Sequence, residues 1–553
     1  MRLLALILQA SRARLALTVL FGVLSGVGSA LLISLINEAV SRGPGLPMPD
    51  LALRFAVVGA LALGSRLTSQ MMLNRLQQTA LFELRMRLSR RILTTPLRHL
   101  EETGAARLLA TLTDDILVLS HGLTVLPDLL INTAIVVGCL AYLAWLSWTA
   151  FFAMVVLMTL GLLTYWAPTA ASFRLLRRAR DTQDTLFQHF RALTEGLKEL
   201  KLNQPRRKAF LGQELGPTAE SLRHLHTRSN DLEAASTSWG LFLFFIVIGL
   251  LLFALPHFSD VGTQALTGYT LTVLYLQKPL DAIMFCIPFL GRASVALDKI
   301  QQLKLNAADV SEKPEPPAPC LSFSRLELRG VTHTYHHEHE DGRFTLGPIH
   351  LTLRRGELLF LIGGNGSGKT TLAKLFTGLY TPEGGEILLD GQPVTEAWRD
   401  RYRQHFSTVF SDFYLFEHLL GIAPEEQRAH IGRYLSRLQL DRKVSISDGT
   451  LSTTQLSQGQ RKRLALLTAY LEDRPIYIFD EWAADQDPTF KRIFYEQLLP
   501  DLKHHGKAVL VITHDDRYFP LADRIVRLEN GQLLQDETSS EAFAPPADTR
   551  ATP

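Results

Sequence analysis

The residues best equipped for chemistry are Gly363-Gly364-Asn365-Gly366-Ser367-Gly368-Lys369-Thr370, which fit the spacing G-x-x-x-x-G-K-[ST]. Glycines let backbone N–H groups converge on phosphate oxygens, and the start of a helix adds partial positive charge. Lys369 then reaches the outer phosphates and Thr370 ligates Mg²⁺; Thr371 joins the same binding group. A second constellation follows downstream, where the apolar run Ile476-Tyr477-Ile478-Phe479 ends in Asp480-Glu481. A phosphoryl-transfer site needs one carboxylate to hold hydrated Mg²⁺ and another group to orient and deprotonate the attacking water. Asp480 and Glu481 fit those roles in that order. Alone, two acids after a strand read as a solvated strand end; with the phosphate loop they become specific.

These residues need a sheet to hold them. Leu326 to Val331, Leu358 to Ile362, Ile476 to Phe479 and Ala508 to Ile512 are short apolar runs alternating with helical patterns, one helix beginning near Lys369. That alternation predicts a mostly parallel sheet with flanking helices. The α/β region is expected over 321–537, after a Pro-rich linker at 306–320, with a disordered Pro/Ala/Thr-rich tail at 538–553.

The preceding region, 1–305, has a different texture. Leu15 to Ile36 has no ionisable side chain, and Leu129 to Phe173 is uncharged long enough for two crossings at about 20 residues each. With Phe55 to Met72, interrupted by Arg66, and two late segments, six spans are expected near 15–36, 53–73, 123–146, 149–171, 236–256 and 261–290. The N-terminus reads as retained, because no small-residue cleavage site closes its short apolar run. Lys and Arg concentrate in Asn74 to Ser120 and Ser172 to Ser238, which places both termini on the cytoplasmic side. Pro96 to Gly104 and Pro205 to Gly212 read as reversals at the far tips of helices extended into the cytoplasm. A net charge of +3 gives no reason to expect nucleic acid, and 47% hydrophobic residues exclude disorder. The mean hydropathy of +0.10 averages these two unlike regions.

The α/β region resembles the ABC transporter ATPases. Leu456-Ser457-Gln458-Gly459-Gln460 matches the LSGGQ signature with Gln458 in place of the first Gly, and Ala484-Asp485-Gln486-Asp487 stands at the D-loop. The resemblance implies a switch role for His514 and adenine stacking for Tyr335. It also implies that Ser457 and Gly459 contact the γ-phosphate held by Lys369 of another subunit, with Gln460 and Asp487 among the nucleotide-binding residues, so that the unit is a homodimer with ATP and Mg²⁺ as cofactors. Ser411 stands where the family has its Q-loop glutamine and could reach Mg²⁺ only through water, or with help from Asp412. The implied fold is an all-α six-helix transmembrane domain of the exporter type followed by an α/β P-loop ATPase domain.

The membrane region is similar to the exporter type as well. Across the chain the resemblance extends to bacterial exporters of cyclic and modified peptides, including those serving pyoverdine-type siderophores and lasso-type microcins. It is carried by Asp480-Glu481-Trp482-Ala483-Ala484-Asp485-Gln486-Asp487-Pro488 and His514-Asp515-Asp516-Arg517-Tyr518-Phe519. It implies a peptide natural product, such as a siderophore precursor or microcin, as cargo across the bacterial inner membrane. Periplasmic or outer-membrane efflux proteins are candidate further partners. Siderophore import through the same fold, and an ATP-gated channel or regulator that does not cycle, remain alternatives. Lys278 and Asp281 sit three apart in the last span, either paired with each other or lining the cargo path. His333, His336, His337 and His339 fit no zinc spacing and read as a solvated loop. The 3 cysteines suggest neither disulfide nor metal site.

Overall fold

The computed structural model describes residues 12–41, 49–254, 263–303, 323–336, 343–422 and 424–538. The chain divides into two compact units, residues 1–93 with 103–306 and residues 94–102 with 307–553. The linker at 306–320 and the tail lie outside the described residues.

The first unit is helical: α1 (Arg12–Ser41), α2 (Pro49–Thr94), a run α4 (Ala105–Leu146), α5 (Trp148–Glu195), α6 (Leu197–Leu202), α7 (Gln204–Ala254) and α8 (Thr263–Gln302). Among the described residues, five helices are long and apolar enough to cross a membrane, namely α1, α2, α4, α7 and α8. The 48-residue α5 carries a shorter apolar run, Ala150–Gly161. Helices suit such sequences because the chain satisfies its own backbone groups where no water can. The chain breaks between α4 and α5 at Ser147, in extended backbone, and the Ser147 hydroxyl accepts from the Ala150 N–H. Gly26 explains the close approach of α1 to α4: a Cβ there would lie 2.6 Å from the Ala134 carbonyl carbon.

The second reversal differs from expectation. Pro205 to Gly212 is helical, and the chain turns at Gly196 and at Asn203, whose side chain caps the Arg206 N–H at 3.0 Å. Proline lacks an N–H that the first helical turn would leave unbonded anyway, so Pro205 begins a helix here rather than marking a loop. The first reversal contains α3 (Leu97–Thr103), which ends at left-handed Gly104 (φ 82°).

In the second unit, β1 (Arg325–His336), β2 (Arg343–Arg354), β4 (Gly384–Leu389) and β5 (Gln392–Pro393) form an antiparallel sheet in the order β2-β1-β4-β5. The six-stranded sheet has the order β12-β11-β3-β10-β9-β6, built from β3 (Leu358–Ile362), β6 (Phe406–Val409), β9 (Ile476–Asp480), β10 (Ala508–Ile512), β11 (Arg524–Glu529) and β12 (Gln532–Thr538). All its pairings are parallel except β11 with β12. Every residue of β9 and β10 is buried, as continuous apolar runs require when helices cover both faces. Phe360, Tyr477, Phe479, Val509 and Val511 pack on one face with α11 (Pro424–Arg437) and α12 (Gln458–Glu472). Leu359, Leu361, Ile478, Leu510 and Ile512 pack on the other with α9 (Lys369–Phe376), α10 (Arg399–Arg403) and the antiparallel sheet.

Candidate functional site

The C-terminal ends of β3, β10 and β9 lie side by side, since Ile512 is in register with both Leu361 and Asp480. The carboxyl edge of a parallel sheet is where α/β folds bind ligands. The Gly363 to Thr370 loop leaves β3 there and enters α9 through left-handed Gly368 (φ 100°), with no side chain capping the helix start. Gly363 must be glycine, because a Cβ would sit 2.1 Å from the Leu528 carbonyl oxygen. The Lys369 ammonium is buried and donates to the Gly363 and Gly364 carbonyls at 2.9 Å each. Burial lowers its pKa, against the pull of Glu481 and Asp480.

Thr370 Oγ1 donates to Asp480 Oδ2 at 2.9 Å, whereas the buried Asp480 Oδ1 has no partner among the described residues, like the buried Ser367 hydroxyl. An orphaned carboxylate oxygen beside a hydroxyl is a hard-oxygen donor set that fits Mg²⁺. Burial pushes the Asp480 carboxyl above the usual range; Glu481 and Asp412 add to this, and Thr370 and Lys369 oppose it. A bound dication would reverse that balance. One residue on, Glu481 takes a left-handed backbone (φ 48°) and its carboxylate meets His514 Nε2 at 3.1 Å.

The signature segment is arranged differently. Ser457 caps α12, and its hydroxyl and the Gln460 side chain satisfy each other's backbone N–H groups. Gly459 leaves room for only a tight neighbour, its Cβ position being 3.0 Å from the Asp485 carbonyl oxygen. Asp487 caps α13 (Pro488–Ile493) through the Phe490 N–H and also accepts from Arg463. Among the described residues, no hydrogen bond or ion pair joins Ser457, Gly459, Gln460 or Asp487 to the phosphate loop. Asn365, Gly366 and Ser411 have exposed positions, Ser411 in the turn after β6 beside exposed Asp412. Thr371 lies within the first turn of α9. Tyr335 lies on β1 opposite Phe344.

His333 corrects the solvated-loop expectation. It is a buried β1 residue stacked on Tyr380 with ring centroids 4.9 Å apart, because alternation along a strand sends it inward. His336 ends the same strand, and His337 and His339 lie outside the described residues, as does Cys320. Among the described residues no group of His, Cys, Asp or Glu is arranged to hold a metal by itself. Cys139 and Cys286 are free and buried. Lys278 and Asp281 are both exposed on α8, and among the described residues no ion pair joins them.

Several functional neighbours escape sequence reading. Arg98 of α3 pairs with Glu383 at 2.7 Å and donates to the Thr334 carbonyl at 3.1 Å, one residue before Tyr335. Glu101 of α3 pairs with Lys374 of α9 at 2.7 Å and accepts from the Tyr380 hydroxyl. Lys462, Arg463 and Gln486 tie α12 to the turn after Glu481. The signal for Lys462 is its helical phase with Leu466 and Ala469, both buried.

Residues 346–484 match the ABC transporter family and residues 15–202 the ABC transporter transmembrane region. The chain is 38% identical over 530 residues to the ATP-binding protein SyrD of Pseudomonas syringae pv. syringae, covering 94% of this chain and 93% of that one. It is 27% identical over 547 residues to an ATP-dependent lipid A-core flippase of Dechloromonas aromatica, covering 93% and 89%. Its fold is similar to that of a bacterial Atm1-family ABC exporter solved with ATP bound, with a TM-score of 0.73, 17% identity and 96% of each chain covered. The chain belongs to the ABC transporters, with the membrane region ahead of the ATPase as in the exporter type. It is a membrane protein whose ATPase domain hydrolyses ATP to drive transport.

Proposed function

We propose that this chain is one half of a homodimeric exporter in the bacterial inner membrane, with six spans and a cytoplasmic ATPase domain. Its cargo on this reading is a cyclic or modified peptide, such as a siderophore precursor or microcin. The observation that carries the transport reading is the assembly of Thr370, Asp480, Glu481 and His514 at one sheet edge of a chain whose described residues also hold five membrane-length helices. The peptide class rests on the motif likeness around Asp480 to Pro488 and His514 to Phe519.

On this reading the Gly363 to Thr371 loop wraps the triphosphate with backbone N–H groups, and Lys369 leaves its own loop carbonyls for the outer phosphates. Tyr335 stacks on the adenine. Thr370 and Asp480 would hold Mg²⁺, with Ser411 reaching it only through water or with help from Asp412, and the bound ion would supply positive charge against the phosphates. Glu481 takes the proton of the attacking water, and His514 holds the Glu481 carboxylate in place. Ser457, Gly459, Gln460 and Asp487 close over the nucleotide of the other subunit, which suits a C₂ pair. The contacts of Arg98 and Glu101 support a mechanical role for α3, because these side chains grip both the β1 strand leading to Tyr335 and the α9 helix that follows the phosphate loop. Nucleotide arrival then moves the chain between two membrane-length helices, giving alternating access.

The test is an untargeted comparison of exported metabolites from cells with and without the gene. Loss of a peptide from the medium supports the reading; its accumulation outside, or loss of uptake in oriented vesicles, points to import. The name of the second relative favours a lipid amphiphile as the other cargo class, which altered outer-leaflet lipid with unchanged peptides would support.

A further inference from the structure

Lys462 is a buried ammonium without a part in the scheme above. Only 4% of its side chain is exposed, and a buried ammonium needs hydrogen-bond acceptors and a counter-charge. It finds both in one short stretch: Nζ donates to the Glu481 main-chain carbonyl at 3.0 Å and pairs with the Asp485 carboxylate at 2.8 Å. The Lys462 carbonyl in turn accepts from Trp482 Nε1 at 2.8 Å. A single residue of α12 therefore grips positions 481, 482 and 485.

The residue it grips is strained. Glu481 has φ 48° and ψ 33°, a left-handed conformation that a residue with a Cβ keeps only where its surroundings hold it. The Ile512 carbonyl accepts the Glu481 N–H at 3.1 Å on one side, and Lys462 and the Ala484 N–H hold its carbonyl on the other. Turned this way, the Glu481 side chain reaches His514 at 3.1 Å.

We propose that Lys462 is a positioning residue for hydrolysis: its ammonium fixes the left-handed backbone of Glu481 and so aims the carboxylate at the water it deprotonates. The inference rests on the reading of Glu481 as the base. Lys462 stands on the helix capped by Ser457 and Gln460, so the contact also ties the base of one nucleotide site to the helix start that serves the other.

The experiment uses the full-length protein in lipid nanodiscs. Lys462→Met is expected to lower kcat at least tenfold while KM for ATP and the affinity for a fluorescent ATP analogue change less than twofold. Lys462→Gln, which keeps an N–H donor, should fall between Met and wild type. Residues acting as a unit are non-additive, so adding Lys462→Met to Glu481→Gln should leave the residual rate unchanged within twofold. A wild-type kcat in Lys462→Met, or equal fractional losses in both backgrounds, overturns the proposal. If Lys462→Met does not fold, Lys462→Gln in both backgrounds is judged by the same additivity criterion. A wild-type rate in Glu481→Gln alone overturns the reading of Glu481 and the inference with it, whereas failure confined to the Lys462 variants leaves that reading standing.

Discussion

On the phosphate-loop side, among the described residues, Asp480 Oδ1 and the Ser367 hydroxyl are buried without partners, and Lys369 donates to its own loop carbonyls. On the signature side, Ser457 and Gln460 cap each other, Asp487 is held by Phe490 and Arg463, and Gln486 bridges Arg463 to the Gly459 carbonyl at 2.9 Å each way. Buried polar groups are normally paired, so the first side is shaped for something it must receive. The second is complete in itself and exposed at Ser457 and Asp487. The contrast fits a nucleotide that binds first to one subunit and is then covered by a preformed surface of another.

Changes at the loop side should therefore destroy chemistry outright. Glu481→Gln is expected to cut ATP turnover by about 10²–10⁴-fold, the usual share of a general base, while nucleotide stays trapped in a dimer. Phosphate release and size-exclusion chromatography read the two effects, and normal turnover would break the assignment. Asp480→Asn removes the orphaned carboxylate, and the Mg²⁺ needed for half-maximal nucleotide binding should rise at least about tenfold. An unchanged Mg²⁺ titration would move the metal away from Asp480.

Two glycines sharpen the same contrast at smaller amplitude. A Cβ at Gly364 meets nothing within 4 Å, so Gly364→Ala should leave the thermal midpoint unchanged yet weaken ATP binding about tenfold, roughly 1.4 kcal/mol, by keeping the backbone from the phosphates. Gly459→Ala presses on the Asp485 carbonyl and should lower kcat several-fold without changing ATP affinity. If instead Gly459→Ala weakened binding and Gly364→Ala did not, the two sides would have to exchange roles.

What the sequence disclosed follows from how local each signal is. The phosphate loop, the Asp480-Glu481 pair and strands such as Leu358 to Ile362 and Ala508 to Ile512 are contiguous, and backbone chemistry alone defines them. The break at Ser147 was legible because an uncharged run too long for one crossing needs a turn. Pro205 misled, since proline both stops and starts helices. Arg98 with Glu383, and Glu101 with Lys374, were hidden because nothing local marks partners so distant along the chain. The burial of His333 and Lys462 was hidden by their polarity, which outweighed strand alternation in one and helical phase in the other.

The smallest effect expected is on stability, and it too distinguishes the sides. His333, beside the Arg98 contacts, and His405, under Tyr402, are both buried, and burial lowers the pKa of each below 6.5, with the charge of Arg98 adding at His333. The unfolded chain then takes up protons at a higher pH than the folded one. Unfolding free energy should be level above about pH 7.5 and decline as pH falls through 6.5, by at most about 1.4 kcal/mol per pH unit for each histidine. The decline stops below the folded-state values. Urea midpoints between pH 7.5 and 5.5 measure it, and His333→Phe, which keeps a ring against Tyr380, should flatten part of the slope. An unaltered slope in His333→Phe would assign the acid sensitivity to His405, where the Tyr402 carbonyl at 3.0 Å from Nδ1 partly offsets the burial. A slope shared by both would show that acid loosens the sheet edge leading to Tyr335 while the signature helix, which holds neither residue, keeps its caps.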